Sequence, residues 1–207
     1  SIRAFTDQEV SDELIQRLLE KSARAASGGN LQPWKIFVIN NETMINFLKF
    51  QEDWTDPETP AYDIYPENLS EPYKTSRYEV GAEMYSILDI DRDDKEGRFK
   101  QMLENFKFFG APHVAIVTTE ADLGPYGAMD CGGFIALFTL AARALGVASV
   151  VQASVTGYAP IIRNHFGISE NRLIQTAISF GYEDKDHPAN SFRTQRAIIE
   201  DVLNIIP

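Results

Sequence analysis

Three arginines near the two ends of the chain are the first side chains whose type and spacing suggest a chemical role. Each lies in a short stretch that also contains hydroxyl or amide side chains. A guanidinium group with such neighbours is suited to holding a phosphate, because it offers several donors in a fixed fork. Three unconnected surface arginines would fit the same spacing equally well. The residues are Arg3, Arg193 and Arg196, with Ser1, Asn190 and Ser191 beside them.

Residues 27–34, Ser-Gly-Gly-Asn-Leu-Gln-Pro-Trp, form a second unusual stretch, which we call the amide loop. Glycine lets a backbone approach a ligand closely, and amide side chains can read the polar edge of a planar heterocycle. A plain turn between two elements would need only the glycines, and that simpler interpretation stays open. The stretch therefore indicates either a wall of a binding cleft or a tight connection.

The side chains that usually carry catalysis are sparse. His113, His165 and His187 are isolated and show no metal-ligand spacing, and His113 starts an apolar run, which favours a structural role. Cys131 lies in an apolar stretch, which favours core packing. Phosphate-binding loops, dinucleotide fingerprints and nucleophile elbows are absent from the sequence. An enzyme built on this chain would therefore take its chemistry from a cofactor, with no catalytic side chain and no metal.

Charge and length narrow the classes of function. The formal net charge of −11 argues against nucleic acid and against an anionic membrane surface as partners. A chain of 207 residues can form one well-buried domain, expected to span 1–207. No signal peptide opens the sequence, and its apolar runs are shorter than the roughly 18 residues of a membrane span. These features predict a cytoplasmic protein.

The spacing of apolar residues predicts alternating helices and strands. Such alternation is typical of an α/β or α+β fold in which one sheet is covered on both faces. We expect helices at 7–26, 42–50, 75–88, 96–106, 130–145 and 194–205, and strands at 34–40, 114–119, 149–153 and 173–180.

Two of these regions carry further expectations. The helix at 130–145 is apolar nearly all the way round, which is typical of a central core helix or of one half of a dimer core. Residues 53–73 form a long segment rich in proline and aromatic residues, which favours a lid or substrate loop over a linker.

Five motifs in order along the chain resemble the FMN-dependent nitroreductases. They are Ser1-Ile2-Arg3-Ala4-Phe5, the amide loop, Asn105-Phe106-x-Phe108-Phe109-Gly110-Ala111-Pro112, the stretch from Asp130 to Gly146, and Gly181-Tyr182 with Pro188-x-Asn190-x-x-Arg193-Thr194-x-Arg196. Two further segments are similar to the branch of the family that includes nitrobenzoate reductases. These are Glu71-Pro72-Tyr73 through Tyr85, and Asp91-Arg92-Asp93.

The resemblance implies an α+β, nitroreductase-like fold with a central, mainly antiparallel sheet flanked by helices. It also implies a long interfacial helix and an intertwined homodimer that binds one FMN in each of two clefts. By the same resemblance, NADPH or NADH reduces the flavin and then leaves, and a nitroaromatic or quinone-type electron acceptor takes its place. Two alternatives stay open: reduction of activated alkenes or dehalogenation on the same fold, and a non-catalytic flavin-binding protein.

The resemblance also assigns site residues. Those expected to bind the cofactor are Ser1, Arg3, Ala26, Ser27, Gly28, Asn30, Gln152, Ala153, Ser154, Arg193 and Arg196. Aromatic side chains expected to line the channel of the small aromatic substrate are Phe108, Phe109, Tyr65 and Tyr73. For the two phenylalanines, packing in the core is an equally good interpretation.

Overall fold

A single antiparallel sheet organises the molecule, whose computed structural model describes residues 1–54 and 68–206. Its strands are β1 (Lys35–Ile39), β2 (His113–Glu120), β3 (Ala148–Gln152) and β4 (Arg172–Gly181), in the order β1-β2-β4-β3. Every neighbouring pair is antiparallel. The helices are α1 (Asp12–Ser22), α2 (Asn41–Glu52), α3 (Tyr73–Ile87), α4 (Lys95–Leu103), α5 (Gly124–Ala144), α6 (Ala159–Phe166) and α7 (Ile199–Val202).

The two central strands, β2 and β4, are buried along most of their length because both sheet faces are covered. Side chains alternate between faces along a strand. Val114 and Ile116 therefore join a core with α2 and α6, while Ala115 and Val117 join a second core with α1 and α5. All four are fully buried. The predicted α+β class with one sheet covered on both faces is confirmed.

Helix α5 is the long apolar helix that the sequence predicts, and it begins six residues earlier than expected, at Gly124. One face packs on the sheet through Cys131, Phe134 and Phe138. The opposite face is open, with Met129 and Leu140 exposed by 64% and 67%. Residues 1–54 and 68–206 therefore do not bury this helix on all sides, which favours the dimer-core interpretation over the central-helix one.

Cys131 faces the sheet from the middle of α5 and is fully buried. Burial raises the pKa of its thiol to about 11. Because the thiolate is the reactive form, this cysteine is inert at neutral pH and acts as a small apolar side chain. The predicted packing role is confirmed.

Two predicted helices are wrong at their ends. The first begins at Asp12 rather than residue 7, because the side chain of Ser11 accepts the N–H of Leu14 and caps the helix there. At the C-terminus, only Ile199–Val202 is helical instead of 194–205. The apolar side chains of that segment join none of the hydrophobic cores formed by the described residues, and short helices form poorly without tertiary packing. Those left exposed are Ile198, Ile199, Val202, Leu203, Ile205 and Ile206.

Residues 55–67, which make up most of the predicted lid at 53–73, lie outside the described residues. The predicted substrate residue Tyr65 is one of them. Among the described residues, no helix is both long and apolar enough to cross a bilayer.

His113 has the structural role that the sequence favours. Its Nε2 atom accepts the backbone N–H of Val10 at 2.9 Å, and its ring stacks on Phe180 with centroids 5.3 Å apart. Only an unprotonated Nε2 can accept a hydrogen bond, so the fold requires the neutral ring. Burial lowers the pKa of His113, and the nearby carboxylates Glu9 and Asp12 oppose that shift.

Acidification should therefore destabilise the fold through His113. The stabilisation from the neutral ring is complete above the unfolded pKa of about 6.5 and is lost as the pH falls from there toward the lower folded value. We expect the denaturant midpoint to fall more for the wild type than for His113→Gln between about pH 7.5 and about pH 5.5. Equal decreases in the two proteins would contradict this role.

Candidate functional site

The two ends of the chain meet beside strand β3, and Asn190 joins them. The backbone N–H of Ile2 donates to the carbonyl of Ser149 at 3.1 Å. Buried Asn190 accepts the N–H of Arg3 at 2.7 Å and donates its amide to the carbonyls of Ala4 at 2.8 Å and Asp184 at 2.7 Å. The segment that carries Arg3 is therefore fixed by one side chain 187 positions away.

The three predicted phosphate ligands come together at this junction, and we call Arg3, Arg193 and Arg196 the terminal cation cluster. All three arginines lie close enough to the amino group of Ser1 to affect its pKa. Burial lowers its pKa most, each of the three arginines lowers it further, and Glu183 opposes them. The predicted grouping of these residues is thus present in the folded chain.

Arg3 is the half-buried member of the cluster. Burial lowers the pKa of its guanidinium, which lies 5.9 Å from the centroid of the Phe192 ring. Within residues 1–54 and 68–206, this guanidinium has neither a carboxylate nor a hydrogen-bond acceptor as partner. A buried cation is costly unless it is paired, so the position suits an anionic ligand.

Arg193 and Arg196 lie nearer the surface. Arg193 donates to the carbonyls of Asn190 and Phe192, both at 2.7 Å. Arg196 donates to the carbonyl of Gln195 at 3.0 Å and to the hydroxyl of Thr194. Neither forms an ion pair with any carboxylate of the described residues. No described carboxylate therefore neutralises the cluster, and a phosphate site requires such an uncompensated positive charge.

The amide loop is a tight turn with three residues in the left-handed region: Gly29 at φ 56°, Asn30 at 59° and Gln32 at 49°. The hydroxyl of Ser27 accepts the backbone N–H of Gln32 at 2.9 Å, and the Gln32 side chain donates to the carbonyl of Asn30 at 3.4 Å. Gln32 thus holds the loop together. Ala26, Gly28 and Asn30 are exposed and Ser27 is partly exposed, so they can contact a ligand.

Helix α5 supports the amide loop from below. The carboxylate of Asp130 accepts the N–H of Gly28 at 3.1 Å, and one turn further on the ring of Phe134 packs 5.4 Å from that of Trp34. The loop is therefore held at both its start and its end by the same helix. The packing of Trp34 on Phe134 accounts for the tryptophan at the last position of the loop.

Arg172 supports the loop from the sheet, and sequence reasoning missed it. This buried side chain donates to the carbonyl of Pro33 at 3.2 Å, to the carbonyl of Thr118 at 3.1 Å and to the Thr118 hydroxyl at 2.9 Å. It also pairs with the carboxylate of Glu120. A buried arginine with four partners has no local sequence signal, because Pro33 is 139 positions away.

The segment after β3 is anchored by side chains that point inward. The amide of buried Gln152 donates to the carbonyl of Asn105 at 2.7 Å and accepts from the hydroxyl of Ser179. The hydroxyl of Ser154 donates to the Asn105 side chain at 3.2 Å. Because Gln152 is fully engaged, only backbone groups of this segment, including exposed Ala153, are free to face a ligand.

Of the four predicted substrate residues, the three that the structure describes do not gather at one place. Phe108 is 1% exposed and packs with Phe47 in the core below the sheet, and Phe109 packs against Ile2 and Phe5. Both positions favour the packing interpretation over a channel lining. Tyr73 begins α3 and is exposed. We therefore take none of these three into the site.

The combined geometry offers binding rather than acid–base chemistry. It provides unpaired cations at the chain junction and polar, closely approachable backbone in the amide loop. Among the described residues, no group of three or more His, Cys, Asp or Glu side chains is placed to hold a metal ion. Such a site suits an organic ligand that carries both a phosphate and a polar planar ring.

Known proteins are similar to this chain in sequence and in fold. The sequence profile of the Nitroreductase family matches residues 1–182. A 4-nitrobenzoate reductase from Pseudomonas putida is 29% identical over 203 residues, which cover 97% of this chain and 88% of that protein. Nitroreductase NfnB from Mycolicibacterium smegmatis is 31% identical over 199 residues, covering 95% of this chain and 85% of NfnB.

Solved structures agree with the sequence relatives. The crystal structure of an FMN and NADPH-dependent nitroreductase, NfnB from Sphigopyxis sp. strain HMH, superposes with a TM-score of 0.95. It is 31% identical, and the alignment covers 100% of this chain and 95% of that one. A nitroreductase NfnB from Mycobacterium smegmatis, solved with NADPH, gives a TM-score of 0.92 at 29% identity, covering 100% and 94%. The predicted nitroreductase-like fold is confirmed.

Proposed function

The chain belongs to the nitroreductase family, and from that premise we propose that it is an FMN-dependent oxidoreductase. It uses NADPH or NADH to reduce nitroaromatic or quinone-type compounds. The observation that carries the proposal is the terminal cation cluster, whose half-buried Arg3 has no protein anion beside it among the described residues. A cofactor phosphate would supply the missing partner.

Each part of the site has a distinct task toward FMN. Arg3, Arg193 and Arg196, with Ser1, hold the phosphate. Ala26, Ser27, Gly28 and Asn30 lie along the ring and the sugar-like chain, where close backbone approach is needed. Backbone groups of residues 152–154 donate to the ring edge. FMN held by these residues would supply the redox chemistry that no side chain of the site provides.

The protein contributes position and electrostatics. It must hold the nicotinamide and the acceptor in turn over the ring at roughly 3–3.5 Å and exclude water there. Donors and cations along the ring edge stabilise the negative charge that develops on reduction. No side chain has to act as acid or base, which agrees with the scarcity of such groups.

We propose a homodimer for the working protein. The exposed apolar side chains on α5 and those within residues 198–206 join none of the hydrophobic cores of the described residues, and exposed apolar patches mark protein–protein interfaces. The amide loop lies on α5, and the terminal cation cluster lies beside β3 and residues 188–196. A second copy packed on α5 would bring the two halves of a cleft together. A cytoplasmic location stays a prediction.

Turnover by the FMN-loaded protein tests the proposed reaction. We expect NADPH or NADH oxidation to depend on 4-nitrobenzoate or a quinone, and not on an activated alkene or an aryl halide. The nitro compound is the expected acceptor because its electron-poor nitro group accepts electrons directly. Turnover of the alkene or halide with none of the nitroarene would assign the fold to the alternative reactions. Bound flavin that neither nicotinamide reduces would indicate a non-catalytic protein.

A further inference from the structure

Asn105, which lies between α4 and β2, accepts two hydrogen bonds from the segment after β3. Its backbone carbonyl accepts the side-chain amide of Gln152 at 2.7 Å, and its side-chain oxygen accepts the hydroxyl of Ser154 at 3.2 Å. Ala153, the exposed residue between these two donors, is therefore held from both sides. Because both bonds end on one residue, the position of Asn105 determines the position of the whole stretch 152–154.

Other contacts fix Asn105 from the opposite side. Its side-chain amide donates to the carbonyl of Met102 at 3.1 Å, which leaves the side-chain oxygen to face the donor after β3. The ring of the next residue, Phe106, packs 4.1 Å from that of Tyr158. Asn105 is therefore held in place by contacts of its own and does not depend on the segment that it supports.

A left-handed turn begins three residues after Asn105. Phe108 and Phe109 both have a φ of 54°, and Gly110 has a φ of 72°. Only glycine adopts this region readily, because any β-carbon comes close to the following carbonyl oxygen. Strained residues of this kind persist where the surrounding structure holds them, and they cluster at functional sites. Two consecutive phenylalanines in this conformation indicate that the course of the chain here is retained at a cost in local stability.

The turn places the two phenylalanine rings in different hydrophobic cores. Phe108 packs in the core with α2 and α6, whereas Phe109 packs with Ile2 and Phe5. Ile2 and Phe5 lie on either side of Arg3 in the chain. The stretch between α4 and β2 thus contacts both the segment that carries Arg3 and, through its asparagine, the segment after β3.

We propose that Asn105 is a positioning residue for the flavin. It fixes the backbone of residues 152–154 at the ring edge, and the turn that follows it keeps that backbone at a fixed distance from Arg3 at the phosphate. The inference rests on the proposed function, since it assumes that FMN lies against these two segments. Asn105 acts only through the hydrogen bonds that it accepts from Gln152 and Ser154.

The reduction potential of the flavin is the property that such positioning controls. Reduced flavin carries negative charge on its ring, and a hydrogen bond to a charged acceptor is roughly twice as strong as one to a neutral acceptor. Backbone donors held at the ring edge therefore favour the reduced form and raise the potential. The phosphate carries the same charge in both forms, so its binding to the terminal cation cluster leaves the potential unchanged. A change at Asn105 should accordingly shift the potential more than it shifts the affinity for oxidised FMN.

Redox titration of the FMN-loaded protein tests the inference through Ser154→Ala, which removes the hydroxyl that Asn105 accepts. We expect the midpoint potential to fall by about 30 mV, which for a two-electron couple is a tenfold loss in the preference for reduced FMN. A tenfold effect is about the size expected for one hydrogen bond to a charged group, whereas the affinity for oxidised FMN should change less than about threefold. Asn105→Ala should lower the potential at least as much, and the double variant should match Asn105→Ala, because both changes break one bond.

Two further variants are the controls. Ser154→Thr keeps the hydroxyl and should keep the wild-type potential. Gln16→Ala removes an exposed amide of α1 that donates to Glu20 at 2.8 Å, and it should leave the potential unchanged.

A wild-type potential in both Ser154→Ala and Asn105→Ala would overturn the inference and leave the proposed function intact, whatever the stability of the two variants in denaturant. An equal fall in Ser154→Thr would also overturn it, because the hydroxyl would then not be the cause. Additive falls in the double variant would do the same, since the two residues would then act independently. A wild-type protein that fails to bind FMN would overturn the proposed function and this inference with it.

Discussion

Replacing Arg172 with methionine is expected to lower the free energy of unfolding by about 3 kcal/mol. Methionine fills similar space but removes four donor contacts. It removes the bonds that the carbonyl of Pro33 and the carbonyl and hydroxyl of Thr118 accept from the guanidinium, and a buried acceptor that loses its partner costs about 1–3 kcal/mol. The estimate lies at the lower end for a broken buried pair, because the Glu120 side chain is 37% exposed and water can solvate it.

The same substitution should weaken FMN binding, since Arg172 holds the end of the amide loop at Pro33. Denaturant unfolding and a flavin titration measure the two effects on one preparation. Glu120→Gln is the control: it keeps an acceptor for Arg172 in a partly exposed position and should cost less than about 1 kcal/mol. If Arg172→Met matched this control in stability, the buried network would not support the loop.

Replacing Asn190 with alanine is expected to cost about 3 kcal/mol of stability and to weaken FMN binding at least tenfold. The variant loses three hydrogen bonds, which leaves the Arg3 N–H and the Asp184 carbonyl without the partner they have in Asn190, while the Ala4 carbonyl keeps only the N–H of Asp184. Because Arg3 is on the released segment, its guanidinium loses its fixed position beside the phosphate site. The measurements are a denaturation curve and an FMN titration under identical salt.

Two neighbouring variants make the Asn190 experiment specific. Ser191→Ala removes one exposed hydrogen bond, to the carbonyl of Pro188, and should change stability by less than about 0.5 kcal/mol. Asn190→Asp keeps the acceptor for Arg3 but sets a carboxylate against two carbonyls, so it should be nearly as damaging as alanine. An Asn190→Ala protein with wild-type FMN affinity would show that the terminal segment needs no such anchor.

The helices and strands that can be predicted from sequence are those whose secondary structure is determined by their own residues. Strand β2 is built on the apolar run Val114–Val117 and is predicted to within one residue at each end, whereas α5, apolar over most of its length, is predicted closely at its end but six residues late at its start. The residues before α1 are positioned less locally: Ser11 caps the helix, but His113 accepts the N–H of Val10 from 103 positions away. The final helix was predicted from an apolar pattern whose side chains stay exposed and join none of the hydrophobic cores of residues 1–54 and 68–206.

The candidate site likewise contains residues that can be recognised from sequence and residues that cannot. Arg3, Arg193 and Arg196 are recognisable because each belongs to a short motif with a chemical reason for its residue types. The residues that hold them are not, because Asn190, Arg172 and Asn105 act through contacts made only after the chain has folded. Asn190 lies inside a motif, but its role depends on its three hydrogen-bond partners in the folded chain.

The visible absorbance spectrum of the protein, before and after NADPH is added without air, tests the central claim most directly. After incubation with FMN and removal of excess, we predict the yellow band of oxidised flavin at about one FMN per chain. NADPH should then bleach that band, and 4-nitrobenzoate should restore it. A protein that stays colourless after incubation with FMN, or whose bound flavin keeps its colour in NADPH, would contradict the account.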